Sequence, residues 1–503
     1  MARHPQRRRL SAHLHPLAAA LVAVWPLQSV LAQPAPSALP TPAAQWVSRY
    51  TGSVAPVLSR PAGQPNSMLV TQGGNRAIYN WNRFDIGSAA SVEFRLPDAN
   101  AAALNRIGGL SPSVIQGALK SNGQLWLINP NGVVFGQGAR VDVGSLITST
   151  LNVADADFLD GLTSRTLGRG PAFRYDGAPE DFIDSRNFVR VEAGADIRTA
   201  EGGRVFLFAK RVENAGSITT PGGQTVLAGG GEVHLKLPTS EALYASEVNP
   251  NVPAVQGLLV EVGAAAGRDG SVANLAGGSI STPRGNTTLV GLAVNQSGRI
   301  SATTSVSQNG SVLLLAQGGT QVGPAGTENF YEAGSELYKR AQRAGSLVLG
   351  SGSRIEITPD VPATGAAPTS DGNATFVPSR IALAGHDITL AAGALIQAPG
   401  ASVTLRAGAP DYRADRLTSR PFTASDPTAR ISLAEGATID VAGTTGTVVS
   451  AARHFVTTEL LGANDLKDAP LQKDGVLSRN RVTLDNTGTA DFAATNTIFL
   501  IIE

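Results

Sequence analysis

Asp142, Asp155, Asp157, Asp181 and Asp184 are the carboxylates spaced closely enough to suggest acid–base chemistry, and His234, His386 and His454 are the imidazoles that would assist them. Hydrolysis of a sugar polymer needs two or three carboxylates converging on one face. Asp155 with Asp157, and Asp181 with Asp184, fall in stretches that read as loops, where solvated or capping acids are the ordinary outcome. Asp142, in the phrase VDV, reads as a corner residue at a strand edge. The other histidines, His4, His13 and His15, lie at the extreme N-terminus, and His234, His386 and His454 are far apart in sequence. Neither a zinc set nor a catalytic triad is suggested. The glycines at 229–231 lack the Lys-Ser/Thr and the following helix of a phosphate loop. Gly/Asp phrases such as GRDGS are too sparse for calcium-binding nonapeptides. The chain therefore reads as a protein without catalytic, metal or cofactor sites.

Any such residues would be positioned by a chain of unusual make-up. Its 503 residues include 56 glycines, only 16% are charged and 5% aromatic. Such a composition suits small and β-branched residues stacked in layers better than a compact core of large side chains. There is no cysteine, so disulfides contribute nothing to stability, and an unfolded chain carries no closed loop to obstruct threading through a membrane. The net charge is +1, but without Arg3, Arg7, Arg8 and Arg9 the balance is about −3. No basic face for nucleic acid follows.

Those four arginines open a tripartite leader. A basic segment precedes the apolar run Leu17–Ala32, broken by Pro26, and Val30 and Ala32 supply the small residues of a cleavage site. Residues 1–32 thus read as a secretory signal peptide. No later stretch is long and apolar enough for a transmembrane helix in the mature chain. Residues 33–65 hold seven prolines and read as an extended leader with little regular structure.

From about Met68 short alternating stretches appear: AIYNWNRFDI, SVEFRL, QLWLI, GVVFG, ARVDVGSLITSTLNV. They predict strands of about four to seven residues, with one short helix candidate at Asp155–Leu159. One phrase then recurs: Asn214-Ala-Gly-Ser-Ile218, Asn274-Leu-Ala-Gly-Gly-Ser-Ile280 and Asn295-Gln-Ser-Gly-Arg-Ile300. Ile280 to Ile300 is one step of 20 residues, and the 62 residues from Ile218 to Ile280 read as about three. Such a period with strand-length pieces predicts a β-solenoid whose coils pair in parallel. Inward ladders of Ile218, Ile280, Ile300 and of Asn214, Asn274, Asn295 follow. A β-sandwich array has no reason to repeat one corner and one inward Ile. Interruptions are predicted at about 155–185, 324–345 and 359–378.

The sharpest local signal is Asn129-Pro130-Asn131-Gly132, between QLWLI and VVFG. Pro130 presets φ for the second position of a turn, Asn131 tolerates the third and Gly132 suits the fourth; the Asn129 side chain can bond the backbone two residues on. The turn forms without distant partners. Three roles stay open: a stable corner, a recognition mark, or a folding nucleus.

NWNRFDIG at 80–87 (Asn80, Trp81, Asn82, Arg83, Phe84 and onward), residues 96–136 and residues 139–161 together resemble the secretion domain of the filamentous haemagglutinin family, the exported partners of two-partner secretion systems in Gram-negative bacteria. The likeness covers about 66–310, and 456–477 resembles a segment of large members. It implies a right-handed, single-stranded parallel β-helix with an N-terminal β cap and projecting loops. It also implies export through an outer-membrane TpsB-type transporter with periplasmic recognition domains, and a role as a surface adhesin with a host or neighbouring-cell receptor. The second motif of some relatives, Asn-Pro-Asn-Leu, is not found. Residues 311–503 read as continuing coils with loop insertions, ending in mid-strand pattern as a truncated member would. A polysaccharide-active β-helix enzyme is the rival, and a truncated fragment the third reading.

Overall fold

The strand-length pieces wind into coils, each visiting three sheets in turn. In this computed structural model the described residues are 32–161, 171–236, 257–265, 267–304, 309–319, 321–322, 339–341, 343–359, 378–408, 426–443, 455–459, 481–485 and 499–501. The signal peptide lies outside them apart from Ala32, as do most of the interruptions predicted at 324–345 and 359–378. Among the described residues, three long sheets hold twelve, nine and twelve strands. One coil shows the plan. Gln124–Ile128 lies in the first sheet, Val133–Phe135 in the second and Arg140–Val143 in the third, and Ser145–Ser149 returns to the first. Each strand pairs in parallel with its equivalent one coil on, as Leu125 does with Leu146. The fold is therefore a parallel β-helix, not a sandwich.

Alternation builds the core. In the third sheet one inward row runs from Met68 through Val92, Leu119, Val141 and Ile197 to Ile218, Ile280, Ile300, Ile355, Ile396 and Ile439. All but Ile439 are buried. Each such side chain contributes roughly 1.5–3 kcal/mol on burial, so the row acts as a continuous spine. Where the third sheet turns back to the first, a Cβ on Gly223 would lie 1.7 Å from the Gly203 carbonyl oxygen. Coils can stack this closely only where that corner carries glycine.

The structure corrects several expectations. Residues 33–65 are not a structureless leader: Thr41–Tyr50 and Val57–Ser59 pair antiparallel with Arg76–Arg83 and Ser67–Thr71. Proline is tolerated there because an edge strand leaves some N–H positions unused, and Trp46 stacks on Tyr79 with centroids 5.3 Å apart. The 62-residue interval is one coil, not three, since Ile218 pairs directly with Ile280. An excursion fills it, returning through Glu232–Lys236 and Leu259–Gly263. Asn295 is not in the asparagine ladder; Asn274 pairs with Gln296, and Asn295 sits opposite Ala273. The corner after Asn274 spans residues 275–278 and the one after Gln296 only 297–298, so spacing to the inward Ile does not mark the ladder position. Asp142 is no corner residue. It faces outward in mid-strand, in register with Lys120 and Arg198, so opposite charges alternate up that row. Beyond 443 the described strands Phe455–Glu459, Arg481–Asp485 and Phe499–Ile501 pair antiparallel and do not continue the coils.

Part of the first sheet is apolar on both faces. Outside the coil, Ile78, Leu104, Trp126, Ile147, Phe206 and Val226 stand in register. They form a second core beneath an antiparallel sheet of Phe173–Arg174, Glu232–Lys236 and Leu259–Gly263, together with the helix Asp155–Asp160. Trp126 meets Phe158 and Phe173 at 5.1 and 5.7 Å between centroids.

Candidate functional site

The NPNG tetrapeptide turns the chain from the first sheet into the second. Gly132 N–H donates to the Asn129 carbonyl at 3.1 Å, closing the turn, and Asn131 N–H donates to Asn129 Oδ1 at 2.9 Å. Asn129 is fully buried, and its Nδ2 donates to Ser111 O and Ser113 Oγ, both at 3.0 Å. Asn131 Nδ2 donates to Gly109 O at 2.8 Å. The corner is thus not self-contained: its two carboxamides hold the equivalent corner one coil earlier. Gly132 has φ +111°, and a Cβ there would lie 2.9 Å from the Phe188 ring of the next coil. Pro130 is exposed.

NWNRF lies on the first parallel strand of the first sheet and its exit. Trp81 and Phe84 point inward and meet edge to face at 5.3 Å. Trp81 Nε1 donates to Asn105 Oδ1 at 2.9 Å, and Asn105 Nδ2 donates to the Ala103 and Trp126 carbonyls at 3.2 Å. On the other face Asn80 Nδ2 donates to Gln45 O at 3.1 Å and Asn82 Nδ2 to Pro42 O at 3.3 Å, fastening the cap strand. Arg83 pairs with Asp85 at 2.9 Å, and Asp85 Oδ1 accepts from Val114 N–H at 2.9 Å. Below the cap, Tyr79 OH donates to Gln72 Oε1 at 2.9 Å, and burial pushes the phenol pKa up.

The other candidates are dispersed. Ile218, Ile280 and Ile300 share one row, and Asn214 and Asn274 share another. Asp155 pairs with Arg106 and, at 3.4 Å, Arg49, fixing the helix start to the cap. Asp181 pairs with Arg186 at 2.9 Å and Asp184 with Lys210. These acids do not converge. Among the described residues no group of three or more His, Asp or Glu side chains is placed to hold a metal. His386, set aside by its sequence distance from the other histidines, has acidic neighbours in the fold. Nδ1 lies 2.8 Å from Asp387 Oδ2, and Nε2 lies 3.0 Å from Thr428 Oγ1 and 3.2 Å from Asp426 Oδ2. The hydrogen bond that His386 donates to the Asp387 carboxylate raises the His386 pKa, and Thr428 lowers that of Asp426. Sequence reasoning missed Asn105, Gln72 and Asp85, polar residues within apolar strands or beside them. The only trace they leave is a polar residue breaking the alternation.

The fold is a parallel β-helix closed by an antiparallel cap, with NPNG as an internal corner and an added sheet on one face. The family model described as TPS secretion domain matches residues 62–330, more than half of the sequence, and the chain belongs to that family of two-partner secretion exoproteins. An 85-residue stretch is 45% identical to a heme/hemopexin-binding protein of Haemophilus influenzae strain Rd, and covers 17% of this chain and 9% of that protein. A second Haemophilus influenzae heme/hemopexin-binding protein is 42% identical over 85 residues, again 9% of its length. The chain thus matches about a tenth of the length of these curated relatives. The crystal structure of the HMW1 secretion domain from Haemophilus influenzae superimposes with a TM-score of 0.53 at 21% identity, covering 79% of this chain and 83% of that one, a likeness of fold.

Proposed function

We propose that this chain is the exported partner of a two-partner system: residues 66–310 are recognised in the periplasm by an outer-membrane TpsB-type transporter, and the folded product is a non-enzymatic surface adhesin. The observation that carries the reading is the family match over 62–330, which takes in the NPNG corner, the NWNRF strand and the added sheet. The signal-peptide pattern of residues 1–32 supports a route through the periplasm. No described helix is long and apolar enough to cross a membrane. The chain crosses as an extended polymer and folds outside, coil on coil. From the heme/hemopexin-binding relatives no ligand is carried over, because the match spans 9% of them. The adhesin's receptor lies on a host or neighbouring cell.

The test is secretion of the full chain in a Gram-negative host with and without its transporter. Accumulation in the medium only when the transporter is present supports the reading. Equal release without it overturns the reading. Binding of the secreted chain to cultured cells, absent after heat unfolding, tests the adhesin role.

A further inference from the structure

The last described coil is open along one side. Ser402–Ala407, Arg430–Leu433 and Thr438–Asp440 are the terminal strands of the three long sheets, each paired among the described residues only with the coil before. Ile431 and Leu433 continue the rows of Ile388 and Leu390, which are wholly buried, yet they are 43% and 55% exposed. Their backbone is equally open. Arg430 N–H donates to the His386 carbonyl at 3.1 Å and Ala434 N–H to the Leu390 carbonyl at 2.9 Å. Successive N–H groups alternate in direction along a strand, so those of Ile431 and Leu433 face the free edge. An apolar edge with unused donors is a template for another strand.

The opposite end of the same β-helix shows what closes such an edge. There Thr41–Tyr50 and Val57–Ser59 add antiparallel to Arg76–Arg83 and Ser67–Thr71, and Trp46 packs on Tyr79 and Trp81. Past the last coil the chain again turns antiparallel, in the sheet of Phe455–Glu459, Arg481–Asp485 and Phe499–Ile501. Val456, Leu484 and Leu500 stand in one register row, and Thr458 stands opposite Val482. With a period of two these five residues share one face, and all but Thr458 are apolar. The charged residues of these strands, Glu459, Arg481 and Asp485, fall on the other face. The stretch from Gly443 to Phe455 can span about 40 Å when extended, against about 10 Å between packed sheets. The sheet is therefore tethered within reach of the open coil and meets it at high local concentration.

We propose that this antiparallel sheet is a second cap: Phe455–Glu459 adds to the Arg430–Leu433 edge, and the face of Val456, Leu484 and Leu500 turns over the coil interior, covering Ile431 and Leu433. The segment thereby closes an edge that would otherwise pair with another chain. The occupant is this chain's own segment because it is tethered, antiparallel like the cap at the other end, and apolar on one face.

The experiment uses the purified, refolded full chain, so its outcome is independent of the transporter reading. Amide exchange of Ile431 and Leu433 is compared with the intrinsic rate. A capped edge slows both by on the order of 100-fold. Leu484→Asp, which sets a charge on the apolar face, removes that protection and leaves exchange at Ile388 and Leu390, one coil back, as in the wild type. Should the variant unfold the small sheet altogether, the edge is uncovered just the same and the readout holds. Exchange of wild-type Ile431 and Leu433 at the intrinsic rate overturns the proposal, and so does protection that Leu484→Asp leaves intact. A second variant identifies the occupant. The chain has no cysteine, so in Leu433→Cys/Val456→Cys a bis-maleimide can join only these two positions. An internal link within monomers supports the cap. Linked dimers in dilute solution, or no link, overturn it, the dimers because the edge then belongs to a second copy of the chain.

Discussion

Asn214 donates its side-chain amide to Asn274 Oδ1 at 2.8 Å, and Asn274 passes the same bond to Gln296 Oε1 at 2.8 Å. The row they occupy is apolar on either side: Ile115, Phe135 and Val191 precede them, and Leu349, Leu390 and Leu433 follow. The ladder is closed at both ends. Asn214 Oδ1 accepts from Gly216 N–H at 3.1 Å, and Gln296 Nε2 donates to Gly298 O at 2.8 Å. It spans the coil that carries the largest excursion. A buried polar row satisfied only in one alignment favours that alignment over a slipped one.

Asn274→Ala should therefore destabilise the protein by about 2–4 kcal/mol, because it leaves buried groups of Asn214 and Gln296 without partners. Replacing all three amides with leucine should cost far less at equilibrium. Denaturant melts of the two variants check the contrast. Equal losses would show that packing, not hydrogen bonding, sets the cost.

At the NPNG corner the two asparagines and the proline should separate cleanly. Asn129→Ala removes an acceptor for Asn131 N–H and two donors to Ser111 and Ser113, a loss of about 1–3 kcal/mol. Pro130 is exposed, and Pro130→Ala acts mainly by loosening the unfolded chain, about 0.4–1 kcal/mol. Gly132→Ala combines an unfavourable φ with a clash against Phe188 and should exceed both. Hydrogen exchange at the amides of Asn129, Asn131 and Gly132 would rank the three.

How much of this was legible beforehand depended on whether a residue's role is periodic. The row of Ile218, Ile280 and Ile300 was legible because each inward position demands an aliphatic residue. The NPNG turn was legible because its chemistry is local. What Asn129 and Asn131 grip was not, since Gly109 and Ser111 lie a coil earlier and backbone carbonyls leave no mark on residue type. The excursion misled for the opposite reason. Its strands alternate like any others, so 62 residues passed for three coils, although Gln224 clamps its return by bonding both N–H and C=O of Leu258. The cap strand was hidden by its prolines.

His386 gives the last described coils a dependence on pH. Its pKa is raised in the folded state, chiefly by Asp387, so its contribution is fully present below the unfolded value near 6.5 and is lost as pH rises through the folded value. Asp426 is lowered, so its contribution is present above its unfolded value and is lost as pH falls through the folded one. The strand Arg430–Leu433, which follows Asp426 and pairs with Asp387–Leu390, should be best protected between these limits. The protection factor of that strand, with the intrinsic base-catalysed rise removed, should fall from pH 6 to pH 9, and His386→Gln should flatten that profile. An unchanged profile in the variant would assign the dependence elsewhere.

Folding outside the membrane can bias export only if each coil, once formed, resists slipping back. At ~0.05–0.15 kcal/mol per residue, a coil of about 20 residues is worth roughly 1–3 kcal/mol net. Ile280 is wholly buried in the spine, and Ile280→Ala alone costs about 2–5 kcal/mol. A single spine residue thus outweighs the net stability of its coil. Ile280→Asp or Ile300→Asp, with a carboxylate forced inward, should stall export at that coil and leave the NPNG corner intact. Ser281→Asp, outward on the same strand and half-exposed, should export normally. Pulse-chase secretion of the three variants separates the cases: inward variants should accumulate with their N-terminal coils protease-accessible outside and their later coils inside. Export of Ile280→Asp at the wild-type rate would mean that the pull comes from something other than stacking coil upon coil.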